Sequence, residues 1–225
     1  MPENILEAFK SLGLPREDLG ILAAVVDALD RSYGLSGKIT QEPGLKEIIL
    51  QLFSRLIRSY KSLAAVSGQR ILDIACGSNT SRAPESVLVR SLFGERQIQV
   101  PHPEGYSAQF EPWFCRILLE LHAEPVGVDR GDLKGERFEY HNLDLGEPGA
   151  LNIFPAESFD AVQDSRLFGS PEFVAQFPDP ADRVRIAEEI WGQEQRLLKP
   201  GGLVIHSDAA RLLNKNPTKK RDDHD

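Results

Sequence analysis

From residue 68 onward the hydrophobic pattern changes period, and that change restricts the fold more than any other feature of the chain. Short β-rich runs occur at 70–75 (RILDIA), 125–129 (PVGVD), 137–141 (RFEYH), 158–163 (SFDAVQ) and 202–207 (GLVIHS). Amphipathic segments lie between them. Trp113, Ile117, Leu118 and Leu121 share one helical face, as do Ile186, Ile190, Trp191, Leu197 and Leu198. Side chains alternate across a strand with period two, whereas a helix returns to the same face every three or four residues. Strands alternating with helices build βαβ crossovers, whose helices cover both faces of a parallel sheet. The expected class is therefore α/β.

The first 66 residues keep a helical period throughout. Residues 21–29 are almost continuously apolar, as in a helix buried on most sides. Leu45, Ile49, Leu52, Phe53, Leu56, Tyr60 and Leu63 then follow the spacing that builds one apolar stripe, between Pro43-Gly44 and Gly68. Neither segment carries a chemical motif, so both read as packing elements. The expected division is an N-terminal helical extension, 1–66, and a second domain, 67–225, with an insertion at about 81–107.

Composition narrows the partners. In 225 residues, 41% hydrophobic and 27% charged, there is ample material for a packed core. No window approaches eighteen consecutive apolar residues, which excludes a spanning helix and predicts no membrane partner. The opening MPENILEAFKSLG carries acidic residues and helical spacing where a secretory leader would place a basic stretch and an apolar run. Cys76 and Cys115 sit in no CxxC or His-rich setting, so no zinc site or disulfide framework is expected. They fit a reduced, cytoplasmic compartment. A net charge of −8 disfavours a nucleic-acid partner, because phosphate binding needs clustered positive charge. The tail 215–225 reads as a solvated end.

In open parallel sheets, ligands bind outside the carboxyl ends of the strands, near the point where strand order reverses. The informative residues fall at those ends. Asp73 lies near the end of the first run and is followed by a small-residue loop in which Gly77 permits a positive φ or close backbone approach. Asp129 closes the second run, where a carboxylate can accept both hydroxyls of a ribose. Asp144 follows the third, and Asp164 and Ser165 the fourth. Taken singly, Asp73 also suits a cap and Asp129 an ordinary turn; their occurrence together and in order favours a ligand site.

These segments resemble the class I S-adenosylmethionine-dependent methyltransferase family. ILDIACGSNT (71–80) is similar to that family's first motif, PVGVDR (125–130) to the acidic ribose-binding end of strand two, and HNLDL (141–145) to the adenine-edge segment. FDAVQDSRLF (159–168) is similar to strand four with its active-site loop, and LLKPGGLVIHSD (197–208) to the helix exit and strand five. The resemblance covers about 70–208. It implies a Rossmann-like three-layer sandwich with a mostly parallel sheet of order 3-2-1-4-5, and S-adenosyl-L-methionine as cofactor. By that resemblance Asp73, Ala75, Gly77, Ser78 and Asn79 would hold the methionine moiety, Asp129 the ribose, and Arg130 would lie against the adenine. Asp144 would accept from the adenine amino group beside the Leu145 backbone, and Asp164 and Ser165 would line the methyl-transfer face.

The chain departs from the family in three places. Ala75 and Asn79 stand where the first motif carries glycine. The interval from Asp73 to Asp129 far exceeds the roughly 20 residues of a standard unit; the surplus, 81–107, leaves from the cofactor loop and is expected to form a lid or part of the acceptor pocket. It holds an apolar patch at 87–93 and a strand at 97–100. Too little of this sequence follows strand five for the family's last antiparallel strands, so that edge is expected to be covered by an N-terminal helix, the C-terminal segment or a second copy in a homodimer, the alternative being that the sequence is a piece of a longer protein.

A neutral hydroxyl or a protonated amine acceptor also needs a base, for which Asp164 and His102 are the candidates, with Tyr106 and His206 behind them. Gln163-Asp164-Ser165-Arg166 stands where an Asn-Pro-Pro-aromatic segment would signal methylation of base or glutamine amino groups. A small-molecule acceptor is expected, a protein side chain being the alternative. An NAD oxidoreductase would need three spaced glycines to admit a pyrophosphate, and the loop 75–80 has one. A non-catalytic cofactor-binding or protein-interaction scaffold is the reading from another class.

Overall fold

The structure is a computed structural model that describes residues 14–35, 37, 39, 43–78, 86–91, 94–99, 111–164 and 167–214. Two long helices come first, α1 (Arg16–Ser32) and α2 (Pro43–Tyr60). Strand β1 (Arg70–Ile74) follows, then β2 (Ser86–Ser91), β3 (Gly94–Gln99), α3 (Trp113–Glu120), β4 (Glu124–Asp129), β5 (Glu139–Asn142) and β6 (Phe159–Asp164). The chain continues through α4 (Pro171–Gln176), α5 (Pro180–Leu197), β7 (Leu198–His206) and α6 (Asp208–Asn214).

Five strands form one parallel sheet in the order β5-β4-β1-β6-β7, which is 3-2-1-4-5 in order of appearance within the sheet. The fold is a Rossmann-like α/β sandwich. Its sequence causes are local. The five β-rich runs supply the five strands, each displaced by a residue or two except the last. That strand starts at Leu198 and runs through Pro200-Gly201, where turn chemistry alone predicts a break. An edge strand tolerates proline, and Gly201 at φ 80° takes up the irregularity in its pairing with β6. Helix α5 starts where Pro180 occupies its first turn and the Asp179 side chain accepts from Ala181 N at 2.8 Å.

Two cores sandwich the sheet. On one face, Leu22, Val26, Leu29, Phe53 and Leu56 of α1 and α2 join Ile117 and Leu118 of α3 and Ile71 and Ala161 of the sheet. On the other, Ile186, Ile190 and Leu197 of α5 and Ala209 of α6 pack against Leu72, Ile74, Val126, Val128 and Val162. The N-terminal helices and α3 thus form one of the three layers. Buried Arg116 ties them down: it lies 4.0 Å from the centroid of the Tyr33 ring and 4.6 Å from that of Trp113, and it pairs with Glu111 and Glu136.

The insertion contains an antiparallel hairpin, with β2 paired to β3. The expected strand at 97–100 therefore begins earlier, and the apolar patch supplies its partner; Val100 lies outside the described residues. Strand β2 runs alongside α4, which places the hairpin on the carboxyl side of the sheet. Helix α2 packs against β7, whose Leu203 and Ile205 join the α1–α2 core. Beyond β7 the sheet has no further strand among the described residues. No described helix is long and apolar enough to cross a membrane.

Candidate functional site

The order 3-2-1-4-5 reverses direction between β1 and β6, and the loops leaving the sheet there meet at its carboxyl rim. Ala75 follows β1 at φ 58° and Gly77 at φ 95°. These two left-handed residues turn the chain so that Cys76 N donates to Val128 O at 3.0 Å and Gly77 N to Asp129 Oδ2 at 2.9 Å. The other oxygen, Oδ1, accepts from Gly131 N at 2.8 Å. One carboxylate therefore clasps the loop after β1 to the loop after β4. Ser78, fully buried, lies against Gly131, where an added Cβ would stand 2.0 Å from Ser78 Oγ. Only glycine fits at 131. Burial pushes the Asp129 carboxyl up from its ordinary value, opposed by the backbone amides it accepts from.

Beneath the loop, Gly127, Asp73 and Gln163 are register partners on three adjacent strands. Asp73 is 1% exposed; Gln163 Nε2 donates to its Oδ1 at 3.4 Å and Cys115 Sγ to its Oδ2 at 3.8 Å. Burial raises its carboxyl to about 8, with Gln163 acting in the opposite direction. Gln163 Oε1 is buried with no hydrogen-bond partner among the described residues. Cys76 and Cys115 are free thiols that both crowd Gly127, and burial pushes Cys76 up to about 11. A thiol so shielded is packing rather than a nucleophile.

A second polar group lies along the rim over β4 and β5. Asp144 Oδ1 accepts from Gly146 N at 2.9 Å, and Oδ2 accepts from Gln176 Nε2 at 3.2 Å. Arg130 Nη1 donates to Gln176 Oε1 at 2.8 Å and lies 3.9 Å from Asp144 Oδ2. Leu145 turns its side chain into the α5-side core. Arg130, Asp144 and Leu145 thus share one stretch of rim with Asp129, the segment in which the sequence places them.

Asp164 is employed differently. It is fully buried, and its carboxylate accepts from Ser207 Oγ at 2.7 Å, Asp208 N at 2.5 Å and Ala209 N at 3.0 Å. These are the donors at the start of α6, where a carboxylate also meets the positive end of the helix dipole. Buried Glu194 on α5 faces it; burial first and the Asp164 charge second raise its carboxyl to about 10. Such a committed group is poorly placed to take a proton from a substrate. His206 Nε2 lies 3.1 Å from Asp208 Oδ1. Asn79, Ser165, His102 and Tyr106 lie outside the described residues. Among the described residues no three metal-ligand side chains group as a metal site requires.

Sequence reasoning missed Gln163, Gln176 and Glu194. A glutamine in an otherwise apolar buried run was a readable signal for Gln163. Gln176 and Glu194 sit in ordinary amphipathic helices, where nothing in the spacing distinguishes them.

No family model and no curated protein matches the chain. Among solved structures it is similar to trans-methyltransferase CalH complexed with SAH, at TM-score 0.35 and 14% identity over 88% of this chain and 50% of that one. It is also similar to the CurJ carbon methyltransferase, at TM-score 0.28 and 14% identity over 91% of this chain and 50% of that one. The chain spans about half the length of each of these chains. The assignment of fold rests on the strand order and layers described above.

Proposed function

We propose that the chain is an S-adenosylmethionine-dependent methyltransferase acting on a small-molecule acceptor. The observation that carries the reading is the clasp beside the switch point, where Asp129 at the end of β4 holds the Gly77 loop that follows β1. A carboxylate has about four lone-pair positions, so the amides of Gly77, Arg130 and Gly131 leave room for a ribose hydroxyl. The side chains present fit this cofactor: the Asp129 and Asp144 carboxylates at the rim suit a cation and would repel a pyrophosphate, while buried Asp73, held neutral, can act there only as a hydrogen-bonding group. Asp73, Ala75, Gly77, Ser78 and Asn79 would hold the methionine moiety, and Asp129 the ribose. Arg130 and Asp144, beside the Leu145 backbone, would flank the adenine, and Asp164 and Ser165 would border the methyl-transfer face.

When bound, the cofactor supplies a sulfonium carbon already activated for displacement. The chain's own task is to align the acceptor and exclude water. In this reading Asp164 is a positioning group: it anchors α6 beneath the rim. His102 and Tyr106 of the insertion are the proposed bases.

Calorimetry with S-adenosylhomocysteine, S-adenosylmethionine and NAD tests the proposal. Binding of the first two and none of NAD is the expected result; binding of NAD alone would overturn it. The commitment of Asp164 to α6 favours a second reading, a fold retained as a cofactor-binding or protein-interaction scaffold. Cofactor binding with no turnover across a panel of acceptors would uphold that one.

A further inference from the structure

Helix α4 follows strand four, yet its last residue reaches across the rim to groups over strands two and three. Gln176 presents its carboxamide edge-on between two charged side chains. Its Nε2 donates to Asp144 Oδ2 at 3.2 Å, and its Oε1 accepts from Arg130 Nη1 at 2.8 Å. A carboxamide carries an acceptor and an NH2 donor on one carbon. Adenine carries the same pair on one carbon, its ring nitrogen N1 and its 6-amino group. The Arg130–Asp144 pair is thus satisfied by a side chain with the hydrogen-bonding pattern of an adenine edge.

The surroundings separate a mobile side chain from a fixed backbone. Phe173 is buried in the α5-side core and its ring centroid lies 5.0 Å from that of Phe177. Phe177 packs on Gly146, where an added Cβ would come within 2.3 Å of the ring. Arg183, buried, donates to Phe177 O at 2.6 Å and Pro178 O at 3.0 Å. Gln176 itself is exposed. Its side chain can change rotamer with no repacking of the helix end, on the picosecond-to-nanosecond scale of exposed side chains.

We propose that Gln176 is a built-in occupant of the adenine position: its carboxamide bridges Arg130 and Asp144 in the free protein and swings out when the cofactor's adenine takes over both contacts. The inference rests on the cofactor reading above and adds a regulation of that site. The free protein is held in a self-ligated state, and cofactor affinity is lowered by the share of molecules in that state. Because β2 runs alongside α4, release of Gln176 also frees a side chain next to the insertion, on the acceptor side of the rim.

The test is calorimetry with S-adenosylhomocysteine on the wild-type chain, Gln176→Ala and Gln176→Met. Both variants should bind about two- to tenfold tighter, the ratio that follows from removing competing hydrogen bonds worth about 0.5–1.5 kcal/mol. Both should melt within about 2 °C of wild type, since an exposed contact contributes little stability. Equal or weaker binding in folded variants, with a wild-type chain that binds, would overturn this inference and leave the cofactor reading standing. Absence of binding in all three would overturn both. Binding by the variants but not by wild type would support both. The methionine variant keeps the length of the side chain, so a fold lost in one variant leaves the other to decide.

Discussion

Ala75 sits where a left-handed turn is needed, at φ 58°, and Gly77 two residues on is at φ 95°. A Cβ in the left-handed region costs roughly 1–2 kcal/mol. The loop accepts that cost at Ala75 because Cys76 N and Gly77 N must both turn inward to Val128 O and Asp129. Ala75→Gly is therefore expected to raise stability by about 1 kcal/mol, less the extra chain entropy glycine brings, which is a rise in Tm of about 2–4 °C. Differential scanning calorimetry checks it, and an unchanged or lower Tm would argue against strain at this residue. At Asp73 the effect is one of pH. Its carboxyl, at about 8 when folded, stands above the ordinary value near 3.9 of an unfolded chain. The folded state keeps a proton that the unfolded chain has released, so this contribution is whole below about pH 4. It is lost as pH rises through about 8. Glu194, raised to about 10, acts with the same sign and extends the decline. Urea midpoints at pH 5, 7 and 9 should fall in the wild type and fall less in Asp73→Asn; parallel pH profiles would contradict the buried neutral acid.

At the scale of elements, the insertion is what separates this molecule from a plain doubly wound sheet. Its hairpin follows the Gly77 loop in sequence and lies beside α4, near the rim. Long excursions leaving the ligand side of a sheet serve as lids and pocket walls. Replacing 81–107 by a short glycine-serine linker is expected to leave the sheet folded and S-adenosylhomocysteine binding within about tenfold, but to abolish turnover of any acceptor found. Unchanged acceptor turnover in the folded deletion variant would reject a role in the acceptor pocket. Helix α6 illustrates the opposite case, an element with a purely internal anchor. Its first two amides and the Ser207 hydroxyl are taken up by Asp164, which fixes the chain's exit from β7.

For the whole molecule the decisive fact is that α1 and α2 share a core with Ile71 and Ala161 of the sheet. The expected division into a helical extension, 1–66, and a domain, 67–225, is one of sequence pattern. If it were also one of folding, 67–225 would unfold cooperatively alone. Removal of α1 and α2 leaves α3 alone on one face of the sheet and exposes the stacked Arg116–Trp113 pair that Tyr33 covers. Burial of apolar area at about 25 cal/mol per Å² is the main favourable term in folding, so the loss of two of the three helices of a layer outweighs a typical net stability of about 5–15 kcal/mol. Residues 67–225 expressed alone should show no cooperative thermal transition; a sharp transition would make the helices a true appendage.

The amino-acid sequence by itself determined the alternation of strands and helices, and through the family resemblance the sheet order. It also located the acidic residues at the strand ends. The alternation and the strand ends follow from periodicity and turn formers within a few neighbouring residues; the sheet order is what the resemblance implies. Only the tertiary structure decided how the rim is used. The hold of Asp129 on the Gly77 loop, Asp164 as the anchor of α6, and Gln176 bridging Arg130 and Asp144 are contacts between residues far apart in the chain. A carboxylate's partners are set by which amides and hydroxyls packing brings within about 3 Å, and no local pattern encodes that distance.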